Sequence, residues 1–367
     1  MLQGAKQSAN VWARMIAKIF RGVPNTITIF QDDCFCHSKG VLGLLKAQQT
    51  SLDKMEEGKL TFKRSKAKIN YPNLRCLGHI MTKSGRVPDP KKIKAIIDLR
   101  RPTTVAGILQ LIGLANYNRE YIPQLSAKLA PFYDLSHDRA DVINQWDEKH
   151  DAALEVLQQA FTGARVLAIP DMSKMFRLSV DACTVNGRGI GGVLTQWHGP
   201  GEYDATKADV SGEHWRPVAY YSKLLTDSER KYGATQAEAK ALHDCCLHWQ
   251  GYLRHAPFEV IVDHMALVYI FASAATTANR RILNYALRLQ EFCFKVIYKK
   301  GETHMNADAL SRMYQIGDPI RDNEIDISEG KVWTGIPDED DIRLLNKKME
   351  LDIKFLREQD HQVASAT

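Results

Sequence analysis

Two runs of alternating apolar and polar residues, Phe176-Arg-Leu-Ser-Val-Asp181 and Phe258-Glu-Val-Ile-Val-Asp263, each close on an aspartate. No other feature constrains the chain as much. Period-two alternation specifies half-buried strands, and a carboxylate closing an apolar strand is costly unless it is solvated, paired or metal-bound. After Asp181 the chain turns through Ala182-Cys183 and a glycine-rich stretch (Gly187, Gly189, Gly191, Gly192) into Val193-Leu194-Thr195-Gln196. This predicts a hairpin with an acid on its first strand.

Two further acids sit at predicted helix starts. Thr235-Gln-Ala-Glu238 opens a run whose apolar residues Leu242, Cys245, Cys246, Trp249 and Leu253 follow helical spacing, placing Glu238 in a first turn. Asn306-Ala-Asp308 starts a second, shorter helix. The order is strand, helix, strand, helix. Two divalent cations held close together need several hard carboxylate oxygens from separate elements, so Asp181, Glu238, Asp263 and Asp308 together imply a two-metal phosphodiester-cleaving site. Singly, Thr235 and Glu238 also fit a capping box, and Asp308 also fits a helix N-terminus electrostatically.

The stretches Val180-Asp-Ala-Cys183, Gly191-Gly-Val-Leu-Thr-Gln196, Pro217-Val-Ala-Tyr-Tyr-Ser222, Glu229-Arg-Lys-Tyr232, Val262-Asp-His264, Leu287-Arg-Leu-Gln-Glu-Phe292 and Ala307-Asp-Ala-Leu-Ser-Arg312 occur in this order. In these the segment 171–314 resembles the ribonuclease H domain of gypsy-type long-terminal-repeat retroelement polyproteins. The resemblance implies an α/β fold with a mixed sheet and flanking helices, and Asp181, Glu238, Asp263 and Asp308 as metal ligands. It also implies two Mg2+ ions, with Mn2+ as a substitute, and the RNA strand of an RNA/DNA hybrid as substrate. His304, in the loop before Asp308, is a candidate proton shuttle beside the plainer expectation of a solvated loop histidine.

Upstream, Phe30-Gln-Asp-Asp33 resembles the tyrosine-x-Asp-Asp box of reverse transcriptases, with Phe in place of Tyr, which makes Asp32 and Asp33 candidate metal ligands. Leu77-Gly-His-Ile-Met-Thr-Lys-Ser-Gly-Arg-Val-Pro88 is similar to the primer-grip hairpin, and residues 102–131 are similar to thumb and connection helices. The expected organisation is a partial palm at 1–90, thumb and connection helices at 91–170, the ribonuclease H-like domain at 171–314, and a linker with a C-terminal helix at 315–367. An earlier palm aspartate is not among these residues, so little autonomous DNA synthesis is expected.

The net charge of +6 is uneven, at +10 over 1–170, +2 over 171–314 and −6 over 315–367. Lys63, Arg64, Lys66, Lys68, Arg100 and Arg101 lie in the densest basic stretch and are candidate nucleic-acid contacts. The seven cysteines show no framework or zinc spacing, which points to a reducing intracellular setting, cytoplasmic or nuclear. No run reaches the roughly twenty apolar residues of a membrane span. Ile342, Leu345, Met349, Ile353 and Leu356 recur at helical spacing, a face for a partner protein or for the ribonuclease domain itself. A noncatalytic nucleic-acid-binding or assembly module is the alternative function.

Overall fold

The computed structural model describes residues 7–299 apart from positions 39, 64, 65, 70, 72, 138–140, 165, 184–188, 200, 202, 204–213 and 273–278. The described residues divide into two compact units, with the boundary between residues 72 and 73.

The first unit contains α1 (Ser8–Ile19), the hairpin of β1 (Ile27–Phe30) and β2 (Asp33–Cys36), and α2 (Val41–Glu57). Its core is small, built on Phe20, Ile27 and Ala47 with Ile16, Ile19 and Met55 packed against them. Gln31 adopts a left-handed conformation (φ 52°), which lets a two-residue turn join β1 to β2, and its carbonyl accepts a hydrogen bond from Trp12 Nε1 (2.9 Å).

The second unit begins with an antiparallel sheet of β3 (Leu74–Cys76), β4 (His79–Thr82) and β5 (Gly85–Pro88). Gly78 turns β3 into β4 at φ 79°, and a Cβ there would collide with the Tyr117 hydroxyl. Helices α3 (Pro90–Ile97), α4 (Val105–Tyr117), α5 (Leu125–Asp134), α6 (Val142–Gln145) and α7 (Glu148–Thr162) follow. Their starts are written locally. Asp89 caps α3 ahead of Pro90, Thr104 caps α4 through the Gly107 N–H, and Asp147 forms a capping box with His150 at the start of α7. Leu111, Leu129, Phe132, Leu157 and Phe161 from these helices make one core.

The five-stranded sheet has the order β10-β9-β6-β7-β8, formed by β6 (Phe176–Cys183), β7 (Gly189–Trp197), β8 (Trp215–Leu224), β9 (Phe258–Val262) and β10 (Phe294–Tyr298). β6, β7 and β8 are antiparallel neighbours, whereas β9 runs parallel to both β6 and β10. This is the mixed sheet expected from the sequence. Helices α8 (Ala234–His248), α9 (Gln250–Leu253), α10 (Met265–Ala272) and α11 (Arg280–Leu289) complete the unit. α8 packs Leu242, Cys245 and Cys246 into a second core with Leu178, Val180, Leu194 and Val260. Val193 and Tyr220 instead join the helical core, so β7 and β8 are covered on both sides.

Polar side chains of β5 and of the helical layer reach edge strand β8. Arg86 Nη2 donates to the Val218 carbonyl (3.0 Å) and Arg119 Nη2 to the Ser222 carbonyl (2.8 Å). The Ser126 N–H and hydroxyl donate to Ser222 Oγ and O at 2.9 and 2.8 Å. Charge-assisted bonds to carbonyls of an edge strand satisfy groups that would otherwise template pairing with another chain. No helix among the described residues is long and apolar enough to cross a membrane.

Candidate metal centre

The parallel pairing of β6 with β9 sets the site. Phe176 lies opposite Phe258 and Ser179 opposite Ile261, and continuing that register by two residues sets Asp181 level with Asp263. Asp181 lies within β6, which runs two residues further, and Asp263 follows directly on the last residue of β9. Glu238 reaches the same point from α8. One carboxylate oxygen from each of the three lies within 4.8 Å of the others.

Their environments differ. Asp181 is exposed and Asp263 half-buried, while Glu238 is 5% exposed. The Ala182 N–H donates to Glu238 Oε1 (3.0 Å), but the buried Oε2 has no hydrogen-bond partner among the described residues. Burial, then the neighbouring charges of Asp263 and Asp181, push the Glu238 carboxyl up to about 8. A buried carboxylate oxygen without a donor, facing two more carboxylates, is what a hard divalent cation would satisfy, so the residues present fit such an ion.

The start of α8 differs from the expected capping box. Its N-cap is Gly233 in extended conformation, and Glu238 lies just beyond the first turn. The Thr235 side chain is engaged elsewhere, with its hydroxyl 2.7 Å from Nε2 of His264, the residue after Asp263. Glu238 is thereby released from capping and faces the sheet. The helix also breaks at Trp249 before α9.

Asp308 and His304 lie outside the described residues, as do Arg64 and the C-terminal helix. Asp32 and Asp33 are both exposed at the β1–β2 turn, and among the described residues no third His, Cys, Asp or Glu joins them within ligand distance. Lys63, Lys66, Lys68 and Arg100 are exposed. Arg101 is exposed as well; it donates from Nη2 to the Trp146 carbonyl (3.1 Å) and lies 5.2 Å from the centroid of that indole ring.

Sequence reasoning missed a buried ion pair behind the site. Arg177 Nη2 and Nε donate to Glu259 Oε2 at 2.7 and 2.9 Å, Tyr203 OH donates to Glu259 Oε1 (2.8 Å), and the guanidinium lies 3.7 Å from the Trp215 ring centroid. The signal present in the sequence was a charged residue inside each of two strands, but only their pairing register brings Arg177 opposite Glu259. Trp215 begins β8 and is buried.

A family model for the "RNase H-like domain found in reverse transcriptase" matches residues 171–292. The polyproteins of transposons Tf2-3 and Tf2-7 of Schizosaccharomyces pombe are each 27% identical to the chain over 301 residues, 81% of its length. The chain spans 21% of the length of these relatives. A foamy viral protease-reverse transcriptase solved with dsDNA superposes with a TM-score of 0.66 at 18% identity, covering 82% of this chain and 60% of that one. The same protein solved with an RNA/DNA hybrid gives a TM-score of 0.61 at 18% identity, over 81% and 39% of the two chains. Sheet order, acidic triad and family match agree: residues 171–292 form an RNase H-like domain of the reverse transcriptase type, in a chain homologous to the polyproteins of gypsy-type long-terminal-repeat retrotransposons.

Proposed function

We propose that this chain is a divalent-metal-dependent ribonuclease H that cleaves the RNA strand of RNA/DNA hybrids internally. The observation that carries the reading is the convergence of Asp181, Glu238 and Asp263, with Glu238 Oε2 buried and lacking a donor. The all-oxygen donor set suits two Mg2+ ions, with Mn2+ as a substitute. Bound, such ions supply Lewis acidity for in-line attack of water on the phosphodiester, giving a 5′ phosphate and a 3′ hydroxyl.

The chain's own residues hold the ions and keep their geometry. Asp181, Glu238 and Asp263 contribute carboxylates from a strand, a helix and a strand end, so three rigid elements fix their separation. Asp308 is assigned as the fourth ligand and His304 as a proton carrier during product release, both from the sequence. Lys63, Arg64, Lys66, Lys68 and Arg100 are assigned to phosphate contacts on the hybrid. The foamy viral relative bound to an RNA/DNA hybrid supports this substrate class.

The test is cleavage of a labelled RNA/DNA hybrid with Mg2+ by the wild-type chain, Asp181→Asn and Asp263→Asn, with single-stranded RNA and duplex DNA as controls. Hybrid-only cleavage lost in both variants is the expected result. Intact hybrid with retained binding by the wild type would leave a noncatalytic binding module instead.

A further inference from the structure

A second cleft lies on the outer side of α11. It has a volume of about 560 Å3 and is lined by Tyr232, Arg281, Asn284, Tyr285, Leu287 and Arg288. No acid lines it. Glu291, just beyond the helix, is taken up by Arg254 (2.8 Å). Arg281 and Arg288 are exposed, and neither forms an ion pair among the described residues.

The cleft is built rather than incidental. Asn279 caps α11 through the Arg281 and Ile282 N–H groups, fixing the first turn. Arg281 lies over the Tyr232 ring at 4.9 Å from its centroid. The Tyr285 ring rests 4.8 Å from the His243 ring of α8. His243 is held in turn by Asp244 (2.9 Å). Two tyrosines and two arginines thus line one cleft.

Residues 281, 285 and 288 share one face of the helix. Arg281 and Arg288 are two turns apart, a rise of about 10.5 Å, which lets their guanidinium groups meet different phosphates of one strand. Tyr232 precedes Glu238 by two extended and four helical residues, so their Cα atoms are at most about 14 Å apart.

We propose that this cleft binds the phosphodiester backbone of one nucleic-acid strand, holding the substrate near the metal centre; as a substrate contact it rests on the hybrid-cleaving reading. Its backbone contacts set position and not sequence preference.

The experiment is fluorescence anisotropy with a labelled RNA/DNA hybrid and the full chain in EDTA, titrated from 50 to 200 mM salt. Arg281→Gln/Arg288→Gln should weaken binding about tenfold and lower the slope of log affinity against log salt by about 1.4 to 1.8, at 0.7 to 0.9 per neutralised phosphate. Arg281→Lys/Arg288→Lys should keep most of the slope, which separates removal of charge from disruption of structure. A wild-type slope in the glutamine variant, or equal slopes in the glutamine and lysine variants, overturns the assignment. A chain that cleaves no hybrid yet shows the slope change keeps the cleft and removes the nuclease reading; an active nuclease with an unchanged slope does the reverse.

Discussion

The Thr235 hydroxyl lies 2.7 Å from His264 Nε2, joining the first turn of α8 to the residue after Asp263. This single contact ties together the two elements that carry Glu238 and Asp263. Thr235→Val keeps the shape and removes the bond, for a stability loss of about 1 kcal/mol. Hybrid cleavage should fall by a larger factor than that loss accounts for, with a raised Mg2+ requirement. Equal Mg2+ titration curves for variant and wild type would refute the positioning role.

The Glu238 carboxyl gives the metal-free fold a defined pH dependence. Its ordinary value is 4.5 and its value in the fold is about 8, so the folded chain binds more protons than the unfolded chain across that window. The fold is therefore favoured at low pH and loses stability as pH rises from about 4.5 to about 8, by at most on the order of 5 kcal/mol. Melting temperatures in EDTA should fall across this range and level off above it. Glu238→Gln should flatten the profile, and Mg2+ should restore wild-type stability at pH 8 by binding the folded state.

Arg177 and Glu259 are 11% and 6% exposed, so truncating one partner strands a buried charge. Glu259→Gln should cost about 3 to 5 kcal/mol in urea unfolding, with little dependence on salt. A loss below about 1 kcal/mol would mean that water reaches the pair.

The basic residues divide by what they touch. Lys63, Lys66, Lys68 and Arg101 are all exposed, and Arg101 also donates to the Trp146 carbonyl. Replacing the three lysines with glutamine should flatten the salt dependence of hybrid binding, by up to about 0.9 for each phosphate no longer neutralised. Arg101→Gln should chiefly lower the melting temperature. A flattened slope in Arg101→Gln at unchanged stability would return that residue to the binding surface.

The carboxylates were legible because two short-range patterns, strand alternation and helical spacing, each carried an acid at a conspicuous place. Asp181, Glu238 and Asp263 meet as those patterns implied. The mixed sheet was expected from the family resemblance and not from these patterns. What stayed hidden depends on pairing between distant segments. The Thr235-x-x-Glu238 spacing satisfies a capping box locally, yet the Thr235 hydroxyl meets His264, distant in sequence, and the helix starts at Ala234 with Gly233 as its N-cap. Arg177 and Glu259 resemble solvent-facing strand residues until β9 is placed between β6 and β10 and buried throughout. The anchoring of Ser126 on Ser222 follows from packing alone.

The parallel pairing of Phe176 with Phe258 has a consequence for how the chain acquires its chemistry. Such a pairing closes a long loop, and the entropy of closure must be met before the pairing returns any stability. Hairpin β6–β7 and helix α8 can form while β9 is still unmade, but Asp263 comes into place only with β9. A chain released partway through synthesis, or cut between α8 and β9, would retain much local structure and no complete centre. The carboxylate triad is therefore completed only by the long-range pairing of β9 with β6, and a chain that lacks β9 holds two of its three acids and no site.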